Sequence, residues 1–173
     1  MRNYFLGLCL LFALCFTACS HSDDSVDVLI IGGGASGVTA GIQSARMGAA
    51  TLIVEETEWL GGMLTSAGVS AVDGNYDLPA GLFGEFREHL ADYYGGLDSL
   101  KTGWVSAVLF EPSVGNKIFH EMVDAEKNLK VWHNATLVKL ERENDAWIAQ
   151  IQMKDNTIKK IHAKILIDGT ELG

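Results

Sequence analysis

Val26-Asp27-Val28-Leu29-Ile30-Ile31-Gly32-Gly33-Gly34-Ala35-Ser36-Gly37 runs an apolar strand directly into a G-x-G-x-x-G. A helix-patterned stretch follows, then a second apolar run, Thr51-Leu52-Ile53-Val54, closed by Glu55, twenty-three residues beyond Gly32. The glycine pattern alone says little. Preceded by a strand, followed by a helix and closed by an acid at this distance, it describes a βαβ unit shaped for the diphosphate and ribose of a dinucleotide. Gly32 lets the chain turn sharply out of the strand. Gly34 lets a pyrophosphate approach the backbone, and Gly37 lets the helix pack close to the sheet. The helix opens with free N–H groups and the positive end of its dipole, with the amides of Ala35 and Ser36 in its first turn. Glu55 is placed to accept hydrogen bonds from a ribose hydroxyl pair, and its charge disfavours a 2′-phosphate. The alternative is a glycine-rich turn with no ligand.

Between the two strands, Val38, Ile42, Ala45 and Ala49 recur at helical spacing, Ala40 and Gly41 are small, and Gly48 marks the helix end. The continuous apolar run at residues 51–54 is typical of a parallel strand covered on both faces.

Upstream, Met1-Arg2-Asn3 is a short basic start, and Tyr4 to Phe16 is almost wholly apolar but short for a membrane span. Residues 1–18 read as an export signal. Phe16-Thr17-Ala18-Cys19 resembles the end of a bacterial lipoprotein signal, which implies that Cys19 is lipidated and becomes the new N-terminus. An ordinary signal peptide cut near Ala18 is the alternative. Residues 19–25 then form the lipidated Cys and a polar tether, and residues 26–173 form the folded domain. The expectation is an exported, membrane-anchored protein, periplasmic or at the cell surface.

All three cysteines, Cys9, Cys15 and Cys19, fall in the leader region. The domain therefore has no disulfide staple, no CxxC redox pair and no thiolate metal site. The chain carries 13 Lys and Arg against 22 Asp and Glu, a net charge of −9. With no basic stripe, nucleic acid is not an expected partner.

Downstream of Glu55 comes Trp59-Leu60-Gly61-Gly62-Met63-Leu64-Thr65. Glu55 followed by Leu60-Gly61-Gly62 resembles the FAD-binding segment of flavoproteins of the glutathione-reductase structural type. More narrowly, the chain resembles bacterial FAD-dependent oxidoreductases of the FAD_oxidored kind. Phe110-Glu111-Pro112, a strand-rich stretch after it, and Ile165-Leu166-Ile167-Asp168-Gly169-Thr170-Glu171 carry the narrower likeness, which extends over about residues 27–173. It implies FAD as cofactor, with the diphosphate on Gly32, Gly34, Ala35, Ser36 and Gly37 and the adenosine ribose on Glu55. It also implies Gly61 and Gly62 beside the cofactor, Met63 and Thr65 near the flavin, Val138 against the adenine through its backbone, and Asp168, Gly169 and Thr170 over the diphosphate.

Leu82, Phe83, Phe86, Leu90 and Tyr93 recur at helical spacing. A second helix starts at Pro112, with Val114, Ile118, Phe119, Met122 and Val123 on one face. His89 and His120 lie on these helices as surface or boundary residues, and no pair of histidines has metal-ligand spacing. From Lys130 the pattern turns to strands: residues 131–132, 135–140, 146–152 and 157–161, with Asn144-Asp145 and Asp155-Asn156 in the turns. Ala163 to Ile167 reads as a buried parallel strand. The expected architecture is α/β: a Rossmann-like FAD/NAD(P)-binding domain, a parallel sheet with helices and an inserted antiparallel meander, cut short at its C-terminal end.

The resemblance implies flavin-mediated hydride or electron transfer on a small molecule that the residues do not identify, and no catalytic acid or base stands out. The flavin end and substrate region would come from a missing C-terminal segment or a partner chain. A non-catalytic dinucleotide-binding module and an inactive truncated lipoprotein are the alternatives.

Overall fold

The computed structural model describes residues 24–74, 76–104 and 106–171, and every structural statement concerns these. The expected signal peptide, the Cys19 lipidation site, Leu172 and Gly173 lie outside the described residues.

The opening unit forms as its pattern requires. Strand β1 spans Asp24–Ile31, helix α1 Ala35–Arg46 and strand β2 Thr51–Val54. β1 and β2 pair in parallel from Val28 opposite Thr51 to Ile31 opposite Val54. The first strand begins earlier than the expected domain start at residue 26. Asp24 and Ser25, assigned above to the tether, pair with Ile161 and His162 instead. Helix α1 ends where Gly48 takes φ +92°. Within the helix, Gly41 faces the sheet so closely that an added Cβ would lie 2.6 Å from Ile53 Cδ1.

The remaining elements are β3 Ala71–Val72, α2 Gly81–Tyr94, β4 Val108–Leu109, α3 Pro112–Asp124, β5 Leu129–Trp132, β6 Thr136–Glu143, β7 Ala146–Gln152 and β8 Ile158–Asp168. Six strands form one mixed sheet in the order β5-β2-β1-β8-β7-β6, and β3 pairs with β4 in a separate two-stranded ribbon. β5, β2, β1 and β8 are parallel; β8, β7 and β6 are antiparallel.

Two cores flank the parallel strands. One face carries Val28, Ile30 and Ile53 against Val38, Ile42, Phe86, Ile118 and Phe119 from the helices. The other carries Leu29, Ile31, Leu52 and Val54 against Ala149, Ile151, Ile161 and Ala163 of the meander. The meander thus folds back over the sheet, giving three layers: helices, parallel strands, meander. Leu29, Ile30, Ile42 and Ile53 are fully buried, each such side chain contributing about 1.5–3 kcal/mol. Phe86 of α2 stacks on Phe119 of α3 with ring centres 4.4 Å apart and meets Phe110 edge-on at 5.4 Å. On the surface, Arg46 ties α1 to Glu85 of α2 and to Glu126, both at 2.7 Å.

Three expectations need correcting. The runs at 157–161 and 163–167 are one strand, β8, whose first half pairs with β7 and whose second half pairs with β1. Its end is parallel but not buried: Ile165 is 55% exposed, because β8 lies where no helix of the described chain covers it. Tyr93 belongs to α2 but is 54% exposed, lying against Tyr94 and beneath Lys117 rather than in the core.

Candidate functional site

The C-terminal ends of β1, β2 and β8 open on one crevice. β1 is the strand from which the chain goes to β2 on one side and is joined by β8 on the other, and ligands of open α/β sheets lie at such a switch point. The cleft has a volume of about 440 Å³, within the roughly 300–1,000 Å³ usual for small-molecule sites. Ile31, Gly32, Val54, Glu55, Gly62 and Gly169 line it.

The glycine loop is built by close approach. Gly32 has φ +97°, and an added Cβ would meet the Gly169 carbonyl oxygen at 2.5 Å. At Gly37 the added Cβ would overlap the Gly32 carbonyl oxygen. The first turn of α1 therefore sits directly over the end of β1. Gly34 is the N-cap, no side chain caps the helix, and no acid occupies its first turn. Its first amides are thus backbone donors beside a positive dipole end.

Glu55 leaves the end of β2 and turns back over the loop. Its Oε2 accepts from Gly33 N–H at 2.7 Å, and its Oε1 accepts from Thr57 N–H at 2.9 Å and from the Thr57 hydroxyl at 2.7 Å. The carboxylate is half-buried and oriented by three donors at the cleft wall. Gly61 N–H donates to the Gly33 carbonyl at 2.8 Å, which locks the second glycine pair against the first.

Residues 27–173 match the model of the family described as FAD dependent oxidoreductase. The chain belongs to that family. No curated protein matches it. Among solved structures, it resembles the myxobacterial chondrochloren halogenase CndH, described as a variant of FAD-dependent halogenases. The identity is 12% and the TM-score 0.62, over 85% of this chain and 37% of that one. It also resembles a flavoprotein/dehydrogenase from Cytophaga hutchinsonii (15% identity, TM-score 0.60, 84% and 39% covered). A geranylgeranyl bacteriochlorophyll reductase-like protein from Thermoplasma acidophilum gives 19% identity and TM-score 0.56, with 84% and 39% covered. At these identities the likeness is one of fold. The chain spans 22% of the length of the L-proline dehydrogenase from P. horikoshii that it also matches, and 41% of that of a Pseudomonas putida p-nitrophenol 4-monooxygenase.

FAD is the cofactor of this family, and the residues present suit its adenosine diphosphate. The donor set at the α1 N-terminus is made of backbone amides, which suits a phosphate. Cβ-free surfaces at Gly34 and Gly62 face the cleft, and a carboxylate stands at its wall. Of the residues singled out in the flavoprotein motifs, Gly32, Gly34, Glu55, Gly62, Gly169 and Thr170 line the cleft. Ala35, Ser36 and Gly37 lie in the first turn of α1.

The others sit elsewhere. Gly61 is buried, and an added Cβ would lie 2.5 Å from Phe119, so it packs on the helical layer. Thr65 is 1% exposed, and its hydroxyl donates to the Leu60 carbonyl at 2.6 Å, inside the loop. Met63 is 58% exposed, and its N–H donates to Glu171 Oε1 at 3.1 Å. The Asp168 carboxylate accepts from the Thr170 hydroxyl at 2.7 Å and N–H at 2.9 Å. Those bonds hold its pKa below the ordinary carboxylate value. Val138 is the odd residue at a register shift in β6: Leu137 faces Ile151 and Lys139 faces Gln150, leaving Val138 without a partner across the ladder. Such a bulge frees backbone groups. Leu137, not Val138, lines the cleft.

Sequence reasoning passed over Thr57 and Glu171. Thr57 had a readable signal, an acid followed two residues later by Thr, which closes a local side-chain turn. The same pattern recurs at Asp155 with Thr157 and at Asp168 with Thr170. Glu171 had none, since its approach to Met63 joins residues 108 apart.

Proposed function

We propose that this chain grips FAD by its adenosine diphosphate and is the cofactor-holding part of an exported flavin-dependent oxidoreductase acting on a small molecule. The observation that carries the reading is the Glu55 carboxylate, held by Gly33 and Thr57 in the same crevice as the uncapped start of α1. In this reading the α1 amides of Ala35, Ser36 and Gly37 bind the diphosphate, Glu55 accepts the ribose hydroxyls, and the bulged backbone at Val138 meets the adenine. Bound FAD supplies the hydride and electron chemistry, while the protein binds and orients it. The reacting end of the flavin and the substrate are held by polypeptide other than these residues, which fits the fraction of the solved structures that the chain spans.

The test is direct. The purified protein is mixed with FAD, passed through gel filtration and scanned for flavin absorbance, and ADP-ribose is titrated by calorimetry. Retained flavin displaced by ADP-ribose supports the reading. A cooperatively melting protein that binds neither ligand overturns it. The export reading rests on the leader and is tested separately: Cys19→Ala should abolish incorporation of labelled fatty acid, and equal labelling of both proteins would refute it.

A further inference from the structure

The cleft is unusual in its charge. The carboxylates of Glu55, Glu56 and Glu171 line it, and among the described residues no Lys, Arg or His does. The attraction for an anion is left to backbone amides and the dipole of α1, equivalent to about half a positive charge at its N-terminus. A whole negative charge, that of Glu171, stands in the same place. Its Oε1 accepts from Met63 N–H at 3.1 Å. The same oxygen lies 3.4 Å from where a Cβ of Gly34 would be, and a Cβ on Gly62 would collide with it. Glu171 Oε1 therefore sits where three backbone segments converge: the N-cap of α1, the turn at Gly62–Leu64 and the end of β8. It places a full negative charge beside the N-cap of α1, where the diphosphate would sit.

We propose that Glu171 is a built-in anion at the diphosphate position that sets which ligands the cleft accepts. It yields to the diester diphosphate of a dinucleotide and disfavours nucleotides that end in a free phosphate. This rests on the dinucleotide reading of the cleft. A dinucleotide's diphosphate is bonded at both ends and carries only its two strongly acidic charges. A terminal phosphate adds a further ionisation with a pKa near 6, so at neutral pH it brings most of another charge toward the Glu171 carboxylate. Each added like charge a few ångströms away at a partly exposed site weakens binding by about three- to tenfold. The Met63 N–H gives the displaced state a second role, because it becomes free to donate to the ligand once the carboxylate leaves.

The experiment compares ADP-ribose and ADP by calorimetry at pH 7.5 on the wild-type protein, Glu171→Gln and Glu171→Ala. Glu143→Gln, at the far end of β6, removes the same net charge away from the cleft. Both Glu171 variants should bind ADP-ribose about threefold to tenfold tighter. They should bind ADP tighter by a larger factor, so that the wild-type preference for ADP-ribose shrinks, while Glu143→Gln behaves as wild type. Unchanged or weaker ADP-ribose binding by both Glu171 variants, or an equal gain from Glu143→Gln, overturns the proposal. Absence of binding by every protein, with cooperative melts, refutes the dinucleotide cleft itself and the role of Glu171 with it.

Discussion

Replacing Glu55 by Gln keeps the side chain's size and removes what the site needs from it. Gly33 N–H points at one carboxylate oxygen and Thr57 N–H at the other, 2.7 and 2.9 Å away. A carboxamide has one oxygen. Whichever way it is turned, its NH₂ meets one of these backbone donors, and that N–H loses its acceptor. The Thr57 hydroxyl cannot easily compensate, because it already accepts from Trp59 N–H at 3.0 Å. A partly buried donor left without an acceptor costs about 1–3 kcal/mol. For a domain of this size each kcal/mol lowers the melting temperature by about 2–4 °C, so Glu55→Gln should melt roughly 2–12 °C below wild type. The ribose would also lose a charged acceptor, worth about 1.5–3 kcal/mol, or about 10- to 100-fold in affinity for ADP-ribose. Thermal melts and calorimetry on the same preparations read both effects. A variant that melts with wild type and binds ADP-ribose within twofold would refute the assignment of Glu55 as the oriented ribose acceptor.

Gly37→Ala places a methyl group against the Gly32 carbonyl oxygen, where only backbone shift can relieve the overlap. It should cost about 3 kcal/mol or more in urea unfolding, and a wild-type midpoint would contradict the close crossover. Acid should loosen the helical layer. Hydrogen bonding to Arg46 holds the Glu85 carboxyl below its ordinary value, so the pair's contribution is complete above the unfolded carboxyl value near 4.3. It is lost as pH falls through the lower folded value. With side chains 35% and 39% exposed, that contribution is at most about 1 kcal/mol. Melts between pH 3 and 6 should show Arg46→Gln converging with wild type at the acid end, and a constant gap would disprove the linkage.

The opening crossover was legible because every level of pattern agreed there: an apolar run, glycines at the turn, a helical period, a second apolar run and an acid. Helix α3 was equally plain, since Val114, Ile118, Phe119, Met122 and Val123 are all buried. The β3–β4 ribbon was not, because two residues per strand carry no period. The length of β8 was hidden for a different reason. Its first half serves one sheet partner and its second half another, so the exposure pattern changes midway and looks like two strands. Within the site, the residues that form the turn from β1 to α1 were readable from local sterics. The Glu55–Thr57 turn was readable in principle. Glu171 is decided by contacts between distant segments, which local pattern does not record.

β8 joins a hairpin at one end to the lip of the crevice at the other. At about 3.3 Å per residue, a one-residue slip of β8 against β7 would carry Gly169 and Thr170 along the strand axis and reverse which side chains face each core. The turn at Asp155-Asn156, at the opposite end of β8 from the crevice, therefore acts as a positional gauge for the mouth of the cleft. A residue inserted at Asp155-Asn156 would be transmitted along eleven residues of strand to the lip of the crevice.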